Sequence, residues 1–285
     1  VIEVETAGLS ASGRVRTENE DAHLIVVPPE DAVRERHGIL IAVADGLGGL
    51  AAGEVASQTA VKSLEDAYFA PTAPTRIEPR IQHAFQIANL RVHDAARANP
   101  ARRGMQTTLT AIALTPVGGF VAHIGDSRAY LWRRGELRRL TDDHSEAAEL
   151  VRMKLARADS LADHPRRNVL TRTLGQQLIV RPDFRHQTIE PEDRFLLCSD
   201  GLWSEVSDLE ISEALAVGSP QDIVRALIDA QCSRASLDNV TAVVVKVVAI
   251  ESPPKEDVGW LSGVVGRLIG PRPDPNARIR GRGGA

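Results

Sequence analysis

Ile39-Leu40-Ile41-Ala42-Val43-Ala44-Asp45-Gly46-Leu47-Gly48-Gly49 is an unbroken apolar run that ends in an acid and then in glycines. Its length reads as a strand buried on both faces that delivers one carboxylate to the edge of a sheet. An isolated ionised carboxylate in apolar surroundings is costly, so Asp45 must be paired, hydrogen-bonded or bound to a metal. The glycines let the backbone approach a ligand and turn a carbonyl inward. Alone, the stretch is a weak signal, since a buried Asp before a Gly is most often only a strand-end turn. The chain repeats it, however. Phe120-Val121-Ala122-His123-Ile124 runs into Gly125-Asp126-Ser127-Arg128, Phe195-Leu196-Leu197-Cys198-Ser199 runs into Asp200-Gly201, and Asp238-Asn239 precedes Val240-Thr241-Ala242-Val243-Val244-Val245. Carboxylates gathered this way at one sheet edge form an oxygen-rich cluster, which suits Mg²⁺ or Mn²⁺ better than zinc.

Outward from these strands, hydropathy marks helices over Val55–Ala67 and Ile77–Ala95, the second stopping near Asn99-Pro100. Pro28-Pro29 and the charged stretch to His37 read as a loop. Strands follow at Thr107–Leu114, Phe120–Ile124, Arg128–Arg133 and Glu136–Leu140, joined by short turns as in an antiparallel sheet. A polar excursion over about 145–173, with a helix at Glu146–Arg157, reads as a functional flap. Helices at Asp208–Ala216 and Pro220–Arg234 lead to the closing strand. The expected fold is α+β, two antiparallel sheets packed as a sandwich with helices on both outer faces.

The chain has 285 residues, 43% hydrophobic and 25% charged, with a formal net charge of -4, ordinary for a globular protein and without a general nucleic-acid footprint. No apolar segment approaches the roughly 18 residues of a membrane span and no secretory signal opens the chain, so a cytoplasmic protein is expected. Cys198 and Cys232 are too few for a disulfide framework and read as reduced core thiols. Composition changes at the tail. Residues 1–248 read as the catalytic domain and 249–285 as a Pro/Gly/Arg-rich tail with a short apolar segment at 259–270. That segment reads equally as part of a linker or as a docking element for a partner or a membrane surface. A monomer is expected.

Arg16-Thr17-Glu18-Asn19-Glu20-Asp21, Val43-Ala44-Asp45-Gly46-Leu47-Gly48-Gly49, Gly125-Asp126-Ser127-Arg128, Leu140-Thr141-Asp142-Asp143-His144-Ser145, Asn168-Val169-Leu170-Thr171-Arg172-Thr173-Leu174-Gly175, Ser199-Asp200-Gly201 and Asp238-Asn239-Val240-Thr241 occur in that order. With this ordered set the chain resembles the bacterial branch of the metal-dependent PP2C-type (PPM) serine/threonine phosphatases over about Val4 to Val248. The resemblance implies hydrolysis of phosphoserine and phosphothreonine monoesters by a metal-bridging hydroxide, in opposition to a bacterial Hanks-type kinase. It implies two Mn²⁺ or Mg²⁺ ions. Asp45 would bridge them, Asp200 and Asp238 would complete one site, and the Gly46 carbonyl and, through water, Glu20 would serve the other. Asp126, sharing Asp200, resembles the ligand of a third, weaker ion. Asp21 looks like the residue that orients the ligands and their waters, and Arg16 is placed to hold the substrate phosphate.

The chemistry fits these residue types. Two divalent ions about 4 Å apart generate a nucleophile at neutral pH, and the Arg16 fork matches two phosphate oxygens. Each residue also has a plainer reading. Asp126 could pair with Arg128 to fix a turn, and Asn239 orients Asp238 more readily than it binds metal. His23 reads as structural, and Thr141, Asp143, His144 and Ser145 as the start of the flap. Arg166, Arg167 and Arg172 are either solvated or a rim facing a phosphopeptide. Leu47 stands where many eukaryotic relatives carry a His proposed to protonate the leaving group, so here that proton must come from elsewhere, with water on a third metal near Asp126 as the candidate. Two rivals remain, a catalytically weak pseudo-phosphatase that binds or scaffolds phosphoproteins, and a phosphodiesterase or nuclease, which would need a basic groove.

Overall fold

The computed structural model describes residues 1–14, 16–48, 52–157, 164–234 and 238–251. The segment 259–270 and the rest of the tail beyond Glu251 lie outside the described residues. Along the chain, strands β1 (Ile2–Ala11) and β2 (Asp21–Val26), helix α1 (Asp31–His37) and strand β3 (Ile39–Leu47) precede the long helices α2 (Ala52–Tyr68) and α3 (Ile77–Ala98). Strands β4 (Gln106–Thr107), β5 (Leu109–Thr115), β6 (Gly118–Ile124), β7 (Arg128–Arg133) and β8 (Glu136–Arg139) follow, then helix α4 (Glu146–Arg152). Strands β9 (Asp183–Gln187) and β10 (Arg194–Cys198), helices α5 (Asp200–Trp203), α6 (Asp208–Ala216) and α7 (Pro220–Cys232), and strand β11 (Val240–Ile250) complete the described fold.

One sheet has the order β1-β11-β10-β7-β8, the other β2-β3-β5-β6-β9 with β4 added at the end of β3, and every pairing is antiparallel. Strand β3 explains its own sequence. Ile39, Ile41 and Val43 face the space between the sheets, against residues such as Phe195, Leu197 and Val243. Leu40, Ala42 and Ala44 face outward into a layer formed by Ala56, Ala60 and Leu64 of α2 and Ala84, Phe85 and Ala88 of α3. Both faces are buried, so the run shows no polar alternation. Alanines on the helix-facing side let α2 lie close to the strands, and dispersion contacts accumulate at that short range. On the other sheet, Leu196 and Val244 meet Ile211 of α6 and Val224 and Leu227 of α7.

The structure departs from the sequence reading in four places. The stretch after Pro29 is helical, not a loop. Asp31 lies in the first turn of α1 and Arg34, Arg36 and His37 in the last, complementing the helix dipole. No residue of α1 is buried, so there is no apolar stripe to read. Helix α4 stops at Arg152 instead of Arg157, and the chain turns at Lys154, which has a left-handed φ of 59°. Strand β9 is a polar edge strand with little apolar alternation. The strand expected at Thr107–Leu114 breaks at Thr108, whose backbone and side chain are committed to Asp45.

Candidate active site

Asp45 sits where β3 leaves the sheet. Its amide donates to Thr108 Oγ1 at 2.9 Å, and its carbonyl accepts from Thr108 N at 2.9 Å and from Thr107 Oγ1 at 2.8 Å. The backbone is held on both sides, so the carboxylate has one direction to project. Across the β2–β3 pair, Asp21 stands directly opposite it. Thr108 Oγ1 also lies 2.8 Å from Ser127 Oγ, linking Asp45 to the turn that carries Asp126. Gly125 has to be glycine there. Its φ is 112°, and a Cβ would lie 2.5 Å from Thr108 Cβ.

The Arg16–Asp21 loop is fastened from the far end of the chain. Asn239 Oδ1 accepts from the Glu20 amide at 2.9 Å, while its Nδ2 donates to the Glu18 carbonyl at 2.9 Å and the Ser12 carbonyl at 3.1 Å. Its amide donates to Asp238 Oδ1 at 3.0 Å. Asn239 therefore clamps the loop bearing Glu20 as well as orienting Asp238. Arg16 is half exposed, 3.1 Å from Asp238 Oδ1 and 3.6 Å from Glu20 Oε2, at the mouth of the cluster.

The candidate acids meet. Burial, then the neighbouring Asp200, Asp21 and Asp126 carboxylates, push the Asp45 carboxyl well above the usual range. Burial and Asp238 raise Asp200, against a hydrogen bond shared with Asp45 and the Arg16 charge. Asp126 is raised by burial, Asp200 and Asp143, and Asp21 by burial to about 7. Glu20 is also raised by burial, opposed by Arg16 and by a hydrogen bond from the Gly53 backbone.

Around Asp126 the supports differ from the simple turn. Arg128 makes no hydrogen bond to Asp126, although its charge opposes the burial that raises that carboxyl. It forms a buried fork on Asp143, with contacts of 3.0 and 2.6 Å, and stacks over Trp203 with 3.5 Å from guanidinium carbon to ring centroid. Trp203 Nε1 donates to the Asp126 carbonyl at 3.0 Å. The segment entering α4 is locked by His144, whose Nδ1 accepts from the Gly125 amide at 3.1 Å. Its Nε2 lies 3.3 Å from Asp183 Oδ2, and Arg172 Nη1 is 2.6 Å from Asp183 Oδ1. Arg172 thus ties the segment before β9 to Asp183, and Arg166 pairs with Glu146 at 2.8 Å. His23 packs against Gly8, and burial lowers its imidazole. Cys198 is fully buried and its thiol pushed up by burial, which leaves it inert.

Among the described residues no three His, Cys, Asp or Glu side chains form an ion cage by themselves. The donor set nonetheless fits hard cations, which take carboxylates, backbone carbonyls and waters. Beyond burial, the Asp200 charge pushes the Asp45 carboxyl up, a repulsion that a divalent cation between them would offset. At Gly53, in the first turn of α2, a Cβ would lie 2.4 Å from Glu20 Oε1 and 2.7 Å from the Gly46 carbonyl oxygen. Two oxygen donors converge there, and only glycine leaves the space between them clear.

A family profile described as "Protein phosphatase 2C" matches residues 13–239. The chain belongs to the protein phosphatase 2C family. The PP2C chain is 33% identical to the protein phosphatase PhpP of Streptococcus pneumoniae over 247 residues, 86% of this chain and 98% of that one. It resembles the serine/threonine phosphatase PstP/Ppp of Mycobacterium tuberculosis with a TM-score of 0.77 and 33% identity, covering 87% of this chain and 100% of the other. The same figures are 0.75, 33%, 87% and 100% for the catalytic domain of PstP in complex with 2 manganese ions. The expected sandwich is thus the PP2C architecture, and the relatives carry phosphatase names, which leaves the pseudo-phosphatase alternative without support.

Gly53, Thr107, Thr108 and Trp203 were not legible as site residues. Only Gly53 leaves a trace, because a glycine opening an alanine-rich helix costs about 1 kcal/mol relative to alanine and so calls for a reason. No helix among the described residues is long and apolar enough to cross a membrane.

Proposed function

We propose that the chain is a metal-dependent protein-serine/threonine phosphatase of the PP2C type, with its active centre at the Asp45–Asp200 cluster. The meeting of half-buried Asp45 and Asp200 with buried Asp126 and Asp21 carries this reading, because burial, with their mutual repulsion, holds these carboxyls above the usual range and divalent cations would offset that repulsion. In this reading Asp45, Asp200, Asp238, Asp126, Glu20 and the Gly46 carbonyl hold Mn²⁺ or Mg²⁺. When bound there, the ions would supply Lewis acidity and a nucleophilic water.

The chain's own residues do the rest. Arg16 at the mouth presents its planar fork to two phosphate oxygens and offsets charge that grows in the transition state. Asp21 and Asn239 hold the ligand loop in place. When the bond from phosphorus to the seryl or threonyl oxygen breaks, the departing oxygen needs a proton. Leu47 has none to give, and we assign its delivery to the Asp126 side of the cluster. Residues 1–248 form the catalytic unit in this reading and 249–285 a tail appended to it. Phosphoproteins in the cytoplasm, including targets of a cognate Ser/Thr kinase, are the expected substrates.

The test is phosphate release from a phosphothreonine peptide with Mn²⁺, with chelator, and by Asp200→Asn. Turnover that needs Mn²⁺ and vanishes in the variant supports the assignment. Undiminished turnover with chelator or in the variant overturns it.

A further inference from the structure

Where α3 ends and β4 begins, the surface opens into a cavity of about 610 Å³ lined by His93, Arg97, Arg103, Met105, Gln106 and Gly175, among others. No carboxylate lines it. Arg97 and Arg103 are exposed, and among the described residues neither guanidinium has an ion pair or hydrogen bond. Arg97 lies in the last turn of α3, where a cation complements the helix dipole. That accounts for one guanidinium, not for a second one brought to the same cavity by the next loop. The loop is shaped to do so. Asn99 Oδ1 accepts from the Ala101 amide at 3.0 Å, and Gly104 turns the chain at φ 80°. Gly175, in its wall, packs closely on α3, where a Cβ would lie 2.7 Å from Val92 Cγ1.

Position links this cavity to the acidic cluster. Gln106, in its wall, pairs across the β3–β4 ladder with Leu47, two residues beyond Asp45. Paired strands lie about 5 Å apart and a strand rises about 3.4 Å per residue, so cavity wall and Asp45 are on the order of 10 Å apart. An extended peptide covers that distance in about three residues.

We propose that this cavity is a second anion subsite, in which Arg97 and Arg103 take an anionic side chain of the substrate, a carboxylate or a second phosphate, about three or four residues from the phosphoresidue being hydrolysed. It rests on the phosphatase reading and adds to it a preference for acidic or multiply phosphorylated segments. Two unpaired planar forks beside one cavity match the oxygens of either group. The attraction adds to the grip of Arg16 without touching the reacting atoms, so it lowers KM and leaves kcat unchanged.

The experiment compares wild type with Arg97→Ala/Arg103→Ala on para-nitrophenyl phosphate and on matched phosphothreonine peptides. These carry alanine, glutamate or phosphoserine at the third and fourth positions on either side. Expected for wild type is a kcat/KM about fivefold or more higher for one or both anionic peptides than for the alanine peptide, weakened by salt. The double variant loses that preference through KM, while para-nitrophenyl phosphate and the alanine peptide stay within about twofold, which also shows that it folds. A wild type without preference, or a variant that keeps it, overturns the subsite. Which peptide gains separates carboxylate from phosphate as the ligand. A wild type inactive on every substrate with Mn²⁺ overturns the phosphatase reading instead. Anisotropy of a labelled doubly phosphorylated peptide then decides the subsite, with weaker binding by the variant supporting it and equal binding overturning it.

Discussion

Ser199 Oγ donates a hydrogen bond of 2.7 Å to Asp21 Oδ2, joining residues 178 apart in sequence and tying one sheet to the other. The same oxygen accepts from the Thr241 amide at 3.0 Å, so one hydroxyl fastens the segments that carry Asp21, Asp200 and Asp238. Ser199→Ala removes the fastening while leaving every candidate ligand in place. Partners that orient ligands typically matter 10–100-fold in metal affinity or activity. The expected outcome is a folded protein whose Mn²⁺ requirement for phosphate release rises by about that range. Unchanged Mn²⁺ dependence would reduce Ser199 to a tether between sheets.

Gly53→Ala separates helix stability from metal binding. In an ordinary helix position the change gains about 1 kcal/mol. Here the new methyl would press on Glu20 Oε1 and on the Gly46 carbonyl oxygen, and the second of these is backbone that cannot swing aside. Activity at limiting Mn²⁺ is expected to fall about tenfold or more and to recover partly with excess metal. Thermal unfolding should move by only a few degrees, because the helix gain and the local strain oppose each other. Full activity at low Mn²⁺ would show that Glu20 and Gly46 are not donors.

What was legible in the sequence follows from how each residue earns its place. Asp45 and Asp200 stand out because an acid at the end of a buried strand breaks the apolar pattern, and the break is visible without any partner. Thr107, Thr108 and Trp203 act by touching residues far along the chain, and threonine in a strand or tryptophan in a helix needs no special explanation. The hydrogen bonding of Arg128 to Asp143 was equally hidden, since Asp126 stands two residues from the arginine and Asp143 lies 15 residues along the chain, and only the packed fold brings the second one to it. Strand β9 and helix α1 lacked buried faces to print a period.

The Arg128–Asp143 pair should be structural first. Both side chains are buried, and the guanidinium is held between Asp143 and the Trp203 ring. Asp143→Ala leaves a buried, unpaired cation, a change that typically destabilises by about 3–5 kcal/mol. Urea unfolding should show a loss of that order, and activity at low temperature should fall less than in Asp126→Ala. A loss below about 1 kcal/mol would mean that Arg128 finds another partner or reaches solvent.

His123 sets a limit on acid stability. Burial, then the neighbouring His144 ring 4.8 Å away, lowers its imidazole from 6.5 to about 3. In the unfolded chain the ring takes up a proton near its ordinary value, so between these limits the unfolded state binds more protons than the fold. The stability from keeping His123 neutral is complete above about pH 6.5 and is lost as pH falls toward 3. At about 1.4 kcal/mol per pH unit, roughly 2 kcal/mol is gone by pH 5. His123→Asn offers Thr110 an amide in place of Nδ1, which is 2.8 Å from its hydroxyl, without a group that titrates. Urea midpoints of wild type and variant, both with Mn²⁺, should therefore diverge at neutral pH and converge as pH drops from 7 to 5. His144 and the acidic cluster are common to both proteins and cancel in the difference. Parallel curves would show that His123 gains its proton in the folded state as readily as in the unfolded one.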